Sequence, residues 1–87
     1  MASYNISWKK STKKDLKKIP QQEVIKIINA VIALSDNPKP YGSTKLTGSR
    51  FTHRIRVGKY RVIYDIHDEE IRIEVVKIGP RGDVYKP

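Results

Sequence analysis

Two runs of alternating apolar and polar residues meet at Gly58–Lys59, and this arrangement constrains the fold more than any other feature of the sequence. The runs cover residues 51–57 and 60–66, and a two-residue loop that begins with glycine is typical of a type II′ β-hairpin. A third run, residues 71–78, follows a candidate turn at Asp68–Glu69. The second half of the chain is therefore predicted to form a three-stranded antiparallel meander.

The first half of the chain predicts one strand and two helices. Alternation over Tyr4–Trp8 indicates a strand. Ser11 is a candidate N-cap of a short helix that ends near Ile19, and Gln21–Leu34 carries apolar residues at helical spacing. A loop is predicted over residues 41–49. The expected class is α+β in the order β-α-α-β-β-β, with two N-terminal helices packed on a mostly antiparallel four-stranded sheet.

Length and composition limit the classes of function. With 87 residues and 38% hydrophobic content, the chain predicts a single domain over residues 1–87. A net charge of +9 favours a polyanionic partner, with nucleic acid first and an acidic protein or an anionic membrane as alternatives. The absence of cysteine rules out disulfides and thiolate metal sites and favours the cytoplasm. No segment has the apolar length of a signal peptide or a membrane span.

The hairpin register predicts that like charges meet on the sheet face turned away from the helices. If Gly58–Lys59 form the turn, Arg56 lies directly opposite Arg61, and Arg54 projects from the same face. Such a like-charge pair is mildly destabilising. A phosphate group would relieve the repulsion, because guanidinium groups bind phosphate oxygens bidentately.

Other polar side chains are weaker candidates. The same sheet face carries Asp65, Arg72 and Glu74, so surface ion pairs among these three are the alternative to an anion site. His53 is predicted to face the core and His67 to lie beside a turn, with no third residue expected to join them in a metal-binding set. Lysines that would either contact RNA or form a solvated surface are Lys13, Lys14, Lys17, Lys18 and Lys45.

The segment after the last strand adds one arginine and one tyrosine. Arg81 and Tyr85 follow Gly79–Pro80, and in a meander this segment emerges near the end of the sheet that carries Arg56 and Arg61. Arg81 would then complete a cluster of cations. Tyr85 would offer an aromatic surface for a base or a phenol for proton transfer, or would only anchor the terminus.

Several of these segments together resemble a known family. The stretch Arg54–Tyr64 (RIRVGKYRVIY), preceded by Asn37–Pro38 and Lys45–Gly48 (KLTG) and followed by Gly79–Tyr85 (GPRGDVY), resembles the RelE branch of the RelE/ParE toxin superfamily of type II toxin-antitoxin systems. The likeness covers nearly the whole chain, with its elements in the family's order. It implies two helices on an antiparallel sheet.

The resemblance implies a cytoplasmic endoribonuclease that cleaves messenger RNA in the ribosomal A site without a metal or cofactor. The RNA's own 2′-hydroxyl attacks the adjacent phosphate. Carried over by position, the catalytic residues are Arg54, Arg56, Arg61, Arg81 and Tyr85. Arg61 and Arg81 would hold the phosphate, while Arg54 and Arg56 orient the 2′-hydroxyl.

The identity of the general base stays open. Some members carry lysines at the Arg54 and Arg56 positions, and lysine loses a proton far more readily than arginine. Tyr85 is the alternative base, since surrounding arginines favour its ionised form.

The resemblance also implies partners. These are messenger RNA in the ribosomal A site and a cognate antitoxin protein, whose complex with the toxin commonly binds operator DNA. Two other functions stay open: a ParE-like toxin that inhibits DNA gyrase, and a non-catalytic module that binds RNA or DNA through charge.

Overall fold

The computed structural model describes residues 3–80 and confirms the α+β class, with two helices packed against one face of a sheet. In chain order the elements are β1 (Asn5–Trp8), α1 (Lys10–Lys17), α2 (Gln21–Leu34), β2 (Thr44–Lys45), β3 (Thr52–Val57), β4 (Tyr60–His67) and β5 (Arg72–Pro80). The sheet order is β1-β5-β4-β3-β2. Strand β1 pairs in parallel with β5, and the pairs β5-β4, β4-β3 and β3-β2 are antiparallel. Over residues 3–80, no helix combines the length and apolar character that a membrane span requires.

Over residues 3–80, the sheet has five strands, one more than predicted. Thr44 and Lys45 pair antiparallel with Arg54 and His53 inside the predicted loop. Two residues are too few for alternation to reveal a strand, so β2 is set by its partner β3 rather than by a pattern of its own.

The prediction that Ser11 caps α1 is wrong. The helix begins two residues earlier than a Ser11 cap would place it, after Lys9, whose side chain makes no capping hydrogen bond. The Lys9 amide still donates to the Val75 carbonyl of β5, so the chain turns from the sheet directly into the helix. Thr12 then donates its hydroxyl to the Lys9 carbonyl at 2.5 Å.

The β3–β4 hairpin forms in the predicted register. Val57 lies opposite Tyr60 and Arg56 opposite Arg61. Gly58 has a positive φ (+60°) and Lys59 does not. This combination is the one that a type II′ turn requires. Glycine suits the first position because it adopts positive φ without a steric penalty.

The β4–β5 connection is longer than predicted. Residues 68–70 form one 3-10 turn, and Ile71 adopts a left-handed conformation (φ 49°) with its side chain exposed, so β5 begins at Arg72 and not at Ile71. A register shift beside Ile63 places one extra residue in β5. Because of this bulge, Ile78 is buried three residues after Val75.

The core lies between the helices and the sheet. Residues at most 1% exposed include Ile27, Val31 and Leu34 from α2 and Val62, Tyr64, Ile73 and Val75 from the sheet. The Tyr64 hydroxyl donates to the Pro38 carbonyl at 2.7 Å, and burial raises the pKa of Tyr64 to about 12. His53 is buried and stacks on the Tyr64 ring, which confirms its predicted core-facing position.

Candidate nucleic-acid interface

The outer face, meaning the sheet surface turned away from the helices, carries three arginines at its hairpin end. Arg56 of β3 lies directly opposite Arg61 of β4. Arg54 is two residues before Arg56 in β3 and therefore projects from the same face, while Ile55 between them is buried in the core. The Arg56 side chain is exposed, and those of Arg54 and Arg61 are half-buried. Three guanidinium groups thus arise from two adjacent strands.

A small apolar cluster fixes the strands next to these arginines. Ile63 lies opposite Arg54 and is 1% exposed, packed against Leu46 and Val76. This cluster lies on the outer face, separate from the main core. It gives the middle of that face a rigid base, so the arginine backbones are held in place before any ligand arrives.

Among the residues that the structure describes, no carboxylate pairs with two of the three arginines. Within residues 3–80, no carboxylate oxygen lies within 4 Å of a guanidinium nitrogen of Arg54 or Arg56. The alternative ion-pair network on the outer face is not formed as expected. Arg72 pairs with Glu70 at 3.1 Å instead of with Asp65 or Glu74. Two cations of the hairpin end therefore stay available for an external anion.

A groove of about 680 Å³ adjoins the arginines. Its wall on the helix side is formed by Ala30, Ala33 and Leu34, and Arg54 and Arg56 line the side formed by β3. An apolar wall beside cationic groups suits a ligand that presents an apolar or aromatic surface next to a negative charge, such as a nucleotide or an acidic amphipathic peptide.

The structure separates the candidate lysines from the arginines. Lys13, Lys14 and Lys17 are exposed on α1, in the helix layer, and Lys18 is exposed directly after the helix. Lys18 lines a smaller cavity of about 270 Å³ with Tyr60 and the end of β5. Lys45 pairs with His53, so its side chain projects from the sheet face opposite to Arg54. The described structure does not bring these lysines into the arginine cluster.

The two remaining candidates, Arg81 and Tyr85, lie outside the described residues. Arg61 pairs with Gly79, two positions before Arg81 in sequence. Strand β5 thus ends beside the hairpin end of the sheet, as the sequence predicted.

One polar cluster was missed by sequence reasoning. Asp65 and Glu74 lie directly opposite each other on β4 and β5, and ligand atoms of Asp65, His67 and Glu74 all lie within 4.8 Å of one another. The sequence analysis considered a set that contains both histidines, whereas the structure groups His67 with Asp65 and Glu74 and places His53 on the core side of the sheet. The proximity of Asp65 and Glu74 could not be predicted, because it depends on the β4–β5 register, which the sequence did not specify.

Comparisons with known proteins agree with one another. Residues 6–85 match the family model described as the ParE toxin of the type II toxin-antitoxin system parDE. A Methanocaldococcus jannaschii protein named as a candidate toxin, RelE1, is 33% identical over 86 residues, covering 95% of this chain and 96% of its own length. The toxin RelE of Mycobacterium tuberculosis is 27% identical, covering 95% and 87%.

A solved structure shares the same fold. The crystal structure of an archaeal RelE-RelB complex from Pyrococcus horikoshii contains a chain that superposes with a TM-score of 0.82 at 28% identity. The superposition covers 93% of this chain and 98% of that one.

Proposed function

Because the chain belongs to the RelE branch of the RelE/ParE superfamily, the toxins of type II toxin-antitoxin systems, we propose that it is a ribosome-dependent messenger RNA endonuclease. The observation that carries the proposal is the Arg56–Arg61 cross-strand pair with Arg54 beside it. Like charges at facing positions do not help the sheet, whereas a phosphodiester between them would bind both guanidinium groups. The nearby apolar groove supplies room for a base.

The proposed reaction needs only the RNA and the protein's side chains. The 2′-oxygen attacks the adjacent phosphorus and loses its proton, the bond from phosphorus to the 5′-oxygen breaks, and that oxygen takes up a proton. The products are a 2′,3′-cyclic phosphate and a 5′-hydroxyl. Positively charged groups lower the barrier by stabilising charge that develops on the phosphate oxygens.

Each candidate residue has a proposed role. Arg61 and Arg81 hold the scissile phosphate. Arg54 and Arg56 stabilise the developing charge and orient the 2′-hydroxyl, while Tyr85 stacks on a neighbouring base or transfers a proton. Tyr85 is the proposed general base, because arginine rather than lysine stands at positions 54 and 56.

A cognate antitoxin is the proposed protein partner. The Pyrococcus horikoshii structure is of a RelE-RelB complex. In this chain, the net charge of +9 and the groove with Arg54 and Arg56 on one side suit an acidic amphipathic segment. We expect the chain alone to inhibit growth and co-expression with the antitoxin to restore it, and we expect any operator DNA binding to require the antitoxin. Harmless expression of folded protein would contradict this.

Inhibition of DNA gyrase is the second candidate, since the matching family model is described as ParE. Two parallel assays separate the candidates. In a translation extract, the RNA proposal expects new 5′ ends in ribosome-bound messenger RNA and unaffected gyrase supercoiling. Blocked supercoiling without new 5′ ends would instead identify a gyrase inhibitor.

A second pair of substrates tests the chemistry. Ribosome-bound messenger RNA with a single 2′-deoxy nucleotide at the cleavage position should resist cleavage, whereas the all-ribose message is cut. Equal cleavage of both would contradict attack by the 2′-hydroxyl. Salt-sensitive RNA binding without cleavage of either message would indicate a non-catalytic module.

A further inference from the structure

We propose that Asp65, His67 and Glu74 form a binding site for one divalent transition-metal ion such as Zn²⁺. The three residues lie on the outer face at its far end, defined as the end next to the 68–71 connection. A histidine nitrogen with two carboxylates is a ligand set that Zn²⁺ accepts, and three protein ligands leave the fourth position for water. This site is separate from the proposed ribonuclease residues at the hairpin end.

The backbone brings the ligands together without help from flexible segments. Asp65 and Glu74 are a directly paired cross-strand couple, and His67 is two residues after Asp65 on the same face of β4. The ligand atoms lie within 4.8 Å of one another. Around a tetrahedral Zn²⁺ they would be about 3.4 Å apart, given metal–ligand distances of roughly 2.1 Å. Side-chain rotation would shorten the distances between the ligand atoms to this value.

Two neighbouring residues orient the ligands. The Thr52 hydroxyl donates to a carboxylate oxygen of Asp65 at 2.6 Å, and the Phe51 ring packs against the His67 imidazole with centroids 5.6 Å apart. A hydrogen bond from a neighbouring residue to a ligand side chain, such as that from Thr52 to Asp65, is typical of metal sites because it fixes the ligand atoms in place.

The local charges favour a cation from outside the chain. Two facing carboxylates repel each other across the strands. The nearest cations along β5 are engaged elsewhere, since Arg72 pairs with Glu70 at 3.1 Å and Lys77 with Asp15 at 3.8 Å. Within residues 3–80, no lysine or arginine nitrogen lies within 4 Å of a carboxylate oxygen of Asp65 or Glu74. A divalent ion would remove this repulsion.

Titration of the untagged, full-length protein with Zn²⁺ tests the proposal. We expect one equivalent to bind by calorimetry, and Mg²⁺ at the same concentration to bind far more weakly. The chain has two histidines, so NMR should show the His67 imidazole signals shifting while those of buried His53 stay in place. Saturating Zn²⁺, about a hundredfold above Kd, should raise Tm by roughly 10 °C or more.

Matched variants distinguish a specific Zn²⁺ site from non-specific attraction of Zn²⁺ to acidic residues. Glu74→Gln should weaken Zn²⁺ binding at least about tenfold and, because it removes the carboxylate repulsion, raise Tm slightly without metal. His67→Gln should weaken binding similarly. Glu69→Gln removes the same charge from the adjacent exposed turn and should leave affinity unchanged.

Three results would overturn the proposal. They are the absence of saturable Zn²⁺ binding, binding that leaves the His67 signals unshifted, and an equal loss of affinity in Glu69→Gln and Glu74→Gln. Messenger RNA cleavage is not part of this readout, so the metal site and the proposed nuclease function can fail independently.

Discussion

The hairpin end and the far end of the outer face differ in the sign of their charge but share one feature of register. At the hairpin end, Arg56 faces Arg61; at the far end, Asp65 faces Glu74. The two pairs lie on either side of the apolar cluster around Ile63. Each end therefore places like charges directly across a strand pair, where they weaken the sheet by a few tenths to one kcal/mol.

The contrast shows how one sheet can present two different ligand sites. Five of the chain's nine acidic residues lie between positions 65 and 74, in a protein whose net charge is +9. A bound ion of opposite charge would relieve the repulsion within each like-charge pair. The hairpin end thus suits a phosphate and the far end a metal cation.

The largest expected effect is at the hairpin end. Arg61→Ala should lower the cleavage rate of ribosome-bound messenger RNA about 100- to 1,000-fold, because it removes a positioned cation from the charge that develops on the phosphate. Arg61→Lys keeps the charge but loses the bidentate geometry, so we expect an intermediate rate. Single-turnover kinetics on programmed ribosomes would measure both.

An arginine outside the cluster provides the matched control. Arg50 is exposed in the loop before β3. Arg50→Ala removes the same charge as Arg61→Ala and should leave the cleavage rate within about twofold of the wild type, since only long-range attraction changes. Equal losses in the two variants would mean that overall charge, and not the position of Arg61, controls the reaction.

The second prediction concerns the apolar cluster around Ile63, which lies between the two ends of the outer face. Ile63→Ala should lower the free energy of unfolding by about 2–5 kcal/mol, because it leaves a cavity beneath the outer face. Urea denaturation followed by circular dichroism measures this loss. If the two ends depend on the same rigid middle, cleavage and Zn²⁺ binding should both weaken, and a selective loss of one would show that the ends are supported separately.

The stability of the fold should depend on pH through Tyr64 in the main core. Burial raises the pKa of Tyr64 to about 12 from 10.0, so the folded state favours the neutral phenol. Stability from this preference is fully present below pH 10 and is lost as pH rises to 12, by on the order of 2–3 kcal/mol. Comparing wild type with Tyr64→Phe by denaturation at pH 8, 10 and 12 isolates this contribution. Parallel pH dependence in both proteins would contradict it.

The smallest effect has opposite signs for stability and activity. Arg56→Gln should raise the free energy of unfolding by about 0.2–1 kcal/mol, because it removes the repulsion with Arg61. The same change should slow messenger RNA cleavage. Thermal denaturation and cleavage assays on one protein sample test both, and a loss of stability would show that the arginine pair is not strained.

Most of the hairpin end could be predicted from the sequence. Gly58 sets the turn type, and once the turn is fixed every cross-strand pair between β3 and β4 follows, including Arg56 with Arg61. The register is reinforced because a one-residue slip would expose the apolar face. Local sequence and long-range packing therefore specify the same pairing.

The far end could not be predicted because its turn carries no clear signal. A two-residue turn at Asp68–Glu69 would place Asp65 opposite Arg72, as an ion pair. The observed connection uses four residues and ends with a β-branched residue, Ile71, in the left-handed region that such residues rarely adopt. This moves the register by two residues, so Asp65 faces Glu74 on the same sheet face.

The β5 bulge was also beyond the sequence pattern. The apolar pattern changes phase at Val75–Val76, since strict alternation from Ile73 would place Lys77 in the core, but a phase change alone does not specify a bulge or its position. The structure shows what stabilises the bulge: an Asp15 carboxylate oxygen accepts the Ile78 amide at 3.2 Å, and the other lies 3.8 Å from Lys77. A contact between residues 63 positions apart leaves no local trace in the sequence.

The central claim is that the arginines of the hairpin end act on the phosphodiester of a translated message. Mapping the 5′ ends of ribosome-associated messenger RNA after brief expression tests it most directly, with wild type, Arg61→Ala and Arg50→Ala compared at equal protein levels. The proposed function predicts new 5′ ends within codons for wild type and Arg50→Ala, and none above background for Arg61→Ala. Identical maps from wild type and Arg61→Ala, or no new ends from a folded and toxic wild type, would contradict it.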